Sequence, residues 1–283
     1  MFNDTIIYEY QESRRTIVIG DIHGDLKRLK NILIDAKIIN NNIEWIANPS
    51  NTIVIQLGDQ IDSLNRSENA EEWEVLKDID VIYFTNNLSN IARSKGGNFI
   101  SLIGNHELMN VCGNFSYVTK NSNFELRHNL FKPNGSLSSI LAKRPLIAKI
   151  GNLFFCHAGI KKEHLDLLEK YDKPVSYIND IWKQYITNNT IDIEDKELFD
   201  KIIINNDGLL WTRNMDNDND MNTVLNKLDC VYMFFGHNLV SNVTLYNEKI
   251  WFTDNGISRA FGTSSYEYID IDNFIINIKK IIE

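Results

Sequence analysis

An α/β protein with parallel strands and helix-covered faces is expected from three features of the 283-residue sequence. Short β-branched runs alternate with helical patterns through the first hundred residues. Each run breaks at a glycine beside Asp or Asn. The hydrophobic share, 43%, is enough for a large buried core and ordinary for a globular chain.

The elements follow in order. Thr16–Ile19 (TIVI) reads as a strand, Gly20-Asp21 as a turn, and Leu26, Leu29, Leu33 and Ala36 as one face of a helix. Thr52–Leu57 starts a second unit that breaks at Gly58-Asp59, with a helix expected from about Asn69 to Arg93 and ended by Gly96-Gly97. A third strand, Asn98–Ile103, breaks at Gly104-Asn105. Strands alternating with helices imply parallel pairing. Leu146–Ile150 and Leu153–His157 read as a hairpin about Gly151-Asn152. Helical patterns then run from about Lys162 to Leu228, interrupted by a polar loop at Asn214–Asn222, and three or four strands close the chain from Val231 to Ile269. The simplest organisation is a single domain over 1–283 with a mostly helical insertion near 160–228.

Composition excludes several classes. No run of about 18 apolar residues is present to span a membrane, and the first residues lack the basic start and apolar stretch of a secretory signal. Cys112, Cys156 and Cys230 are odd in number, far apart and without a CxxC, so buried or inert thiols in a reducing, cytoplasmic setting are expected. The net charge of −9 opposes a sequence-independent grip on nucleic acid. Neither a GxGxxG nor a Walker loop occurs. Asp216, Asp218 and Asp220 alternate like a calcium loop, but Met221 and Lys227 stand where that loop needs Gly and Glu.

Five strand-end motifs share one composition: GDIHG (20–24), GDQID (58–62), GNHE (104–107), CHAG (156–159) and FGHN (235–238). In an open α/β sheet, ligands bind beyond the carboxyl ends of the strands. Converging there, the loops bring Asp21, His23, Asp59, Asn105, His157 and His237 together. Carboxylate, amide and imidazole donors suit divalent first-row metals such as Mn, Fe or Zn. Six ligands exceed one catalytic zinc site and suit two ions sharing a carboxylate, a pair that acidifies bridging water and clamps an in-line displacement at phosphorus. His128 and His164 lie in no such motif and are expected outside the site.

The order of these motifs resembles the calcineurin-like metallophosphoesterase superfamily. GNHE, DGLLWTR (207–213) and FGHN resemble its phosphoprotein phosphatase family, and GNHELMN (104–110) and DNGISRAFG (254–262) its bacterial-type, Shewanella-like branch. The resemblance spans residues 20–262. It implies a four-layered α/β/β/α sandwich of two mixed sheets, with the helical insertion as a cap over the metal site. It also implies that Asp21 and His23 hold one metal, that Asp59 bridges, and that Asn105, His157 and His237 hold the second. His106 takes the place of the general acid and Asp62 that of the carboxylate that orients it. Arg213 takes the place of a phosphate-binding arginine, a role its fork of donors suits.

There are departures. Ser63 stands where the family usually has a phosphate-clamping arginine, and Arg66, three residues on, is a candidate to reach the same place. The bacterial-type branch tends to carry a basic residue where Asn114–Tyr117 stands, and the aromatic C-terminal element of the eukaryotic enzymes is missing. Arg144 and Arg259 are further candidates for anion contact, while Trp182, Tyr185 and Trp211 are expected in the core rather than in a substrate groove.

The expected activity is hydrolysis of a phosphate monoester by a hydroxide bridging two divalent ions, manganese first among them. The favoured substrate is phosphoserine or phosphothreonine in a protein or peptide, and phosphotyrosine is possible within the branch. Two alternatives stand beside it: hydrolysis of a dinucleoside polyphosphate or an RNA cap, the one route by which nucleic acid enters as a partner, and a non-catalytic interaction protein that kept the fold.

Overall fold

The computed structural model describes residues 6–63, 77–120, 122–188, 190–214 and 217–283. Its strands are β1 (Glu9–Tyr10), β2 (Arg15–Ile19), β3 (Ile53–Gln56), β4 (Asn98–Ser101), β5 (Ile147–Ile150), β6 (Leu153–Cys156), β7 (Tyr232–Phe235), β8 (Thr244–Tyr246), β9 (Ile250–Phe252), β10 (Ser265–Asp272) and β11 (Ile275–Ile282). Its helices are α1 (Leu26–Asp35), α2 (Ile79–Ser94), α3 (Asn105–Val111), α4 (Phe124–Phe131), α5 (Ser136–Leu141), α6 (Lys162–Lys170), α7 (Tyr177–Asn188), the short α8 (Lys196–Leu198) continued by a π-helix at Phe199–Ile204, and α9 (Asp218–Leu228).

Two mixed sheets form. One has the order β1-β5-β6-β7-β9-β8, with β6, β7 and β9 parallel; the other has the order β11-β10-β2-β3-β4, with β2, β3 and β4 parallel. Period-two alternation assigns the layers. Ile17 and Ile19 of β2 face α1 and α2, joined by Val54, Leu29, Ile32 and Leu88. Val18, between them, faces the second sheet and joins Ile53, Ile55, Phe155 and Phe234 in the core between the sheets. The neighbours Phe154 and Phe235 point the other way, into a third core with Leu165, Ile181, Trp182 and Val224 of the outer helices. The expected α/β/β/α sandwich is therefore present.

Several local readings change. The polar loop expected at 214–222 is a helix from Asp218, because the Asn217 side chain caps it by accepting from the N–H of Asn219 and Asp220, and Asp218 and Asp220 sit favourably in its first turn. The helix expected from Asn69 is described from Ile79; residues 64–76, Arg66 and Trp73 among them, lie outside the described residues, as does Asp216. β11 was not expected, and it pairs with β10 along its whole length. Trp182 is buried as expected, but Trp211 is only partly buried. Cys156 is buried and Cys112 exposed, its Sγ 3.2 Å from the Tyr185 hydroxyl; all three cysteines are unpaired. No described helix is long and apolar enough to cross a membrane.

Candidate metal centre

The six parallel strands aim their carboxyl ends at one place. Asp21 follows β2, Asp59 follows β3 and Asn105 follows β4, all from one sheet. His157 follows β6, His237 follows β7 and Asp254 follows β9, from the other. The strand-exit backbone turns sharply: His23, Asp59, Asp62 and His237 all have positive φ (41°, 49°, 67° and 59°), a region uncommon for non-glycine residues and frequent at functional sites. Two glycines let the carboxylates in. A Cβ on Gly236 would lie 2.1 Å from Asp21 Oδ1, and one on Gly104 would lie 2.2 Å from Asp59 Oδ1.

Asp59 is the hub. His157 Nε2 lies 3.4 Å from its Oδ2, His106 Nε2 3.8 Å and His23 Nε2 3.9 Å. His23 Nε2 is also 4.0 Å from Asp21 Oδ2. Two sets of donor atoms gather within metal-ligating reach, His23–Asp59–His106 and Asp59–His157–His237, and they share Asp59. Asn105 adds an amide oxygen 2.9 Å from His157 Nε2. By distance alone His106 belongs with the first set.

The outer edges of the imidazoles are tied to backbone carbonyls. His157 Nδ1 is 2.8 Å from the Leu57 oxygen, and His23 Nδ1 is 3.1 and 3.0 Å from those of Ile61 and Asp62. His237 Nε2 lies 3.2 Å from the Trp211 oxygen. Such bonds fix ring orientation and leave the other nitrogen for a metal.

The electrostatics also call for a cation. Asp21 is buried, its Oδ2 accepts from the His237 N–H at 3.0 Å, and its Oδ1 has no hydrogen-bond partner. Burial, with Asp254 and Asp59 beside it, pushes the Asp21 carboxyl well above its ordinary range. Burial works against the Asp59 charge too, but His157, His106 and His23 outweigh it and hold Asp59 well below that range. Burial, with His157 and Arg213 nearby, takes His237 down to about 3, so its ring is a neutral donor. An orphaned buried carboxylate oxygen is costly unless paired or metal-bound. The donor set fits divalent ions of intermediate hardness, with Asp21, His23, Asp59, Asn105, His157 and His237 able to hold them.

A cavity of about 580 Å³ opens above the cluster, walled by Tyr117, Trp211, Arg213, Asp254 and Phe261. His106 faces it; Asp62, wholly buried, lies behind His106 with Oδ2 2.9 Å from Nδ1. The Arg213 guanidinium donates to the His237 carbonyl and to Asn238 Oδ1, both at 3.2 Å. Of the helical stretch at 160–228, residues 206–214 supply the wall, while α6, α7 and α9 pack on the outer face of the six-stranded sheet. Tyr117, from the segment without a basic residue, stacks edge-on to His106 with centroids 5.0 Å apart.

Other candidates fall elsewhere. Arg144 is buried and spent on Gln60, the Ile82 carbonyl and Thr85, and Arg259 pairs with Asp25 at 2.8 Å. His164 lies outside the cavity as expected, with Nδ1 accepting from the Lys161 N–H. Two residues that sequence reasoning missed belong to the site. Asp254 stands at the end of β9, but without the preceding glycine that marks Asp21 and Asp59. Glu107, within GNHE, accepts from the N–H of Asp59, Gln60 and Gly104 at 2.8–2.9 Å and so holds two of the loops.

A family profile described as calcineurin-like phosphoesterase matches residues 14–241, and the chain belongs to that family. Among curated relatives, a Shewanella-like protein phosphatase 1 from Plasmodium berghei is 27% identical across 95% of this chain and 74% of its own length. A Shewanella-like protein phosphatase 2 from Arabidopsis thaliana is 33% identical across 42% of this chain and 27% of its own. Among solved structures, a cold-active protein-tyrosine phosphatase of a psychrophilic Shewanella species covers all of this chain and 84% of its own, with TM-score 0.78 and 20% identity, a likeness of fold. The chain is thus a metallophosphoesterase with protein-phosphatase relatives.

Proposed function

We propose that this protein hydrolyses phosphate monoesters on proteins, phosphoserine and phosphothreonine first, with two divalent ions, manganese the first choice. The observation that carries the reading is the partnerless Asp21 oxygen in a nest of six converging donors around Asp59. Asp21 and His23 would hold one ion, Asn105, His157 and His237 the other, and Asp59 both. Such ions, when bound, neutralise phosphate oxygens and acidify water.

The residues divide the remaining work. Arg213 offers its fork to the phosphate from the cavity wall. Asp62 holds Nδ1 of His106, which aims Nε2 at the cavity side of the cluster. Water adds to phosphorus as the ester P–O bond breaks, and the proton on His106 Nε2 passes to the departing alkoxide oxygen. The products are a free hydroxyl side chain and inorganic phosphate, with a proton of the attacking water restoring the balance. General acid help of this kind contributes about 10²–10⁴-fold. This role for His106 is preferred over metal ligation because Asp21 and Asn105 complete the donor sets without it. The three unpaired cysteines fit a cytoplasmic setting.

The test is manganese-dependent turnover by wild type and Asp59→Asn of a phosphopeptide, p-nitrophenyl phosphate, diadenosine tetraphosphate and capped RNA. Monoester turnover lost in Asp59→Asn supports the reading. Preference for an anhydride overturns the substrate assignment, and equal silence of both proteins on every substrate favours an interaction role.

A further inference from the structure

The carboxylate behind His106 is held by a closed ring of hydrogen bonds. Asp62 Oδ2 accepts from His106 Nδ1 at 2.9 Å and from Asn110 Nδ2 at 2.8 Å, and Oδ1 accepts from Arg127 Nη2 at 2.8 Å. Arg127 Nε donates to Asn110 Oδ1 at 2.5 Å, which closes the ring Arg127–Asp62–Asn110. Asn110 also donates to the His106 carbonyl at 2.9 Å, tying the ring to the residue it serves. The far edge of the same guanidinium forks onto Asp78, Nη1 to Oδ1 at 3.0 Å and Nη2 to Oδ2 at 2.8 Å. Asp78 in turn accepts from the Asp62 backbone N–H at 3.1 Å and caps α2 through the Ile79 N–H. Arg127 and Asp62 are both wholly buried, and the guanidinium lies 5.1 Å from the Phe131 ring.

We infer that Arg127 is a positioning residue for proton donation by His106, acting through Asp62. The inference rests on the general-acid reading proposed above. Asp62 sits at φ 67°, in a conformation that only surrounding contacts maintain. Its carboxylate could swing about χ1 and χ2, and each swing would carry the His106 ring with it. The planar fork removes that freedom by bonding Asp62, Asn110 and Asp78 at once, a geometry a lysine's single ammonium cannot reproduce. Arg127 does not line the cavity, so its effect reaches the substrate only through the ring of bonds.

The experiment compares an alkyl phosphate such as a phosphoserine peptide, whose leaving group needs a proton, with p-nitrophenyl phosphate, whose leaving group does not. In the manganese-loaded full chain, Arg127→Lys should lower kcat on the phosphopeptide by about 10–100-fold, the scale of an ångström's misplacement, and kcat on p-nitrophenyl phosphate by less than about threefold, with KM nearly unchanged. In a His106→Asn background the same substitution should cost nothing more on the phosphopeptide. Equal losses on both substrates, no loss on either, or additive losses with His106→Asn would each overturn the inference and reduce Arg127 to an anchor for α4. Should Arg127→Lys fail to fold, Asp78→Asn loosens the same fork from its partly buried outer side, and it must show the same substrate-selective loss or the inference falls. His106→Asn alone separates the two ideas: if it shows no leaving-group signature, the general-acid reading fails; if it does and Arg127→Lys does not, only the positioning role fails.

Discussion

Asp21→Asn should stabilise the chelated protein more than the manganese-loaded one. Asp21 carries one satisfied oxygen and one buried oxygen without a partner, beside Asp59 and Asp254. Asparagine keeps the oxygen that accepts from the His237 N–H and sets a neutral N–H₂ donor beside Asp59 and Asp254 where the orphaned oxygen stood. Relief of one buried unsatisfied acceptor is worth about 1–3 kcal/mol. For a chain of this size that raises Tm by about 2–5 °C in the presence of chelator. With manganese that lead shrinks. Wild type gains about 2.7 kcal/mol at a free ion concentration a hundredfold above Kd, whereas the neutral amide binds the ion less tightly and the variant gains less. Urea denaturation of both proteins in EDTA and in manganese gives four stabilities, and the variant's lead in EDTA should be smaller in manganese. A variant less stable than wild type in EDTA would refute the reasoning, because it would mean that Asp21 carries no penalty in the metal-free fold.

Three further outcomes are expected. His164 is buried and its pKa lies at about 4, depressed by burial and by Lys161, against an unfolded value near 6.5. Its neutral form supports the fold above pH 6.5, and that support drains away as the pH falls toward 4 because the unfolded chain takes up the proton first; His164→Gln should flatten this stretch of the stability curve, which has an upper bound of about 3 kcal/mol. Gly104→Ala puts a methyl 2.2 Å from Asp59 Oδ1 and 2.4 Å from the Asp59 backbone nitrogen. It should cost about 1–3 kcal/mol and reduce the manganese retained on elemental analysis, since the hub carboxylate must move. Arg213→Ala should lower kcat/KM for a phosphopeptide by about 10²-fold, measured against unchanged circular dichroism.

Much of the site was legible because its chemistry is written locally. Asp21, Asp59, Asn105 and His237 each follow a glycine after an apolar run, and a strand exit is the one place where that grammar makes sense. Asp254 broke the pattern: Thr253 precedes it and no histidine accompanies it, so it reads as part of an ordinary Asp-Asn-Gly turn. Arg127 carried no signal at all. It sits mid-helix in a polar stretch, 65 residues from Asp62, and only tertiary packing gives it a role. In the fold, β1 is two residues long and offers no periodicity. β11 was hidden because its turn, Asn273-Phe274, takes two positive φ values without the glycine that marks such hairpins, and because Lys279-Lys280 breaks the apolar alternation. The start of α9 was masked by Asp and Asn, which serve turns and helix caps equally well.

Of the six donors around Asp59, four come from the five-stranded sheet and two, His157 and His237, from the other, across a middle core of interlocked side chains. Ions seated there would act as a rivet through both plates. Stripping them with a chelator should loosen one sheet against the other, so that amide exchange quickens in β2 and β6 together while α1, fastened to a single plate, keeps its protection.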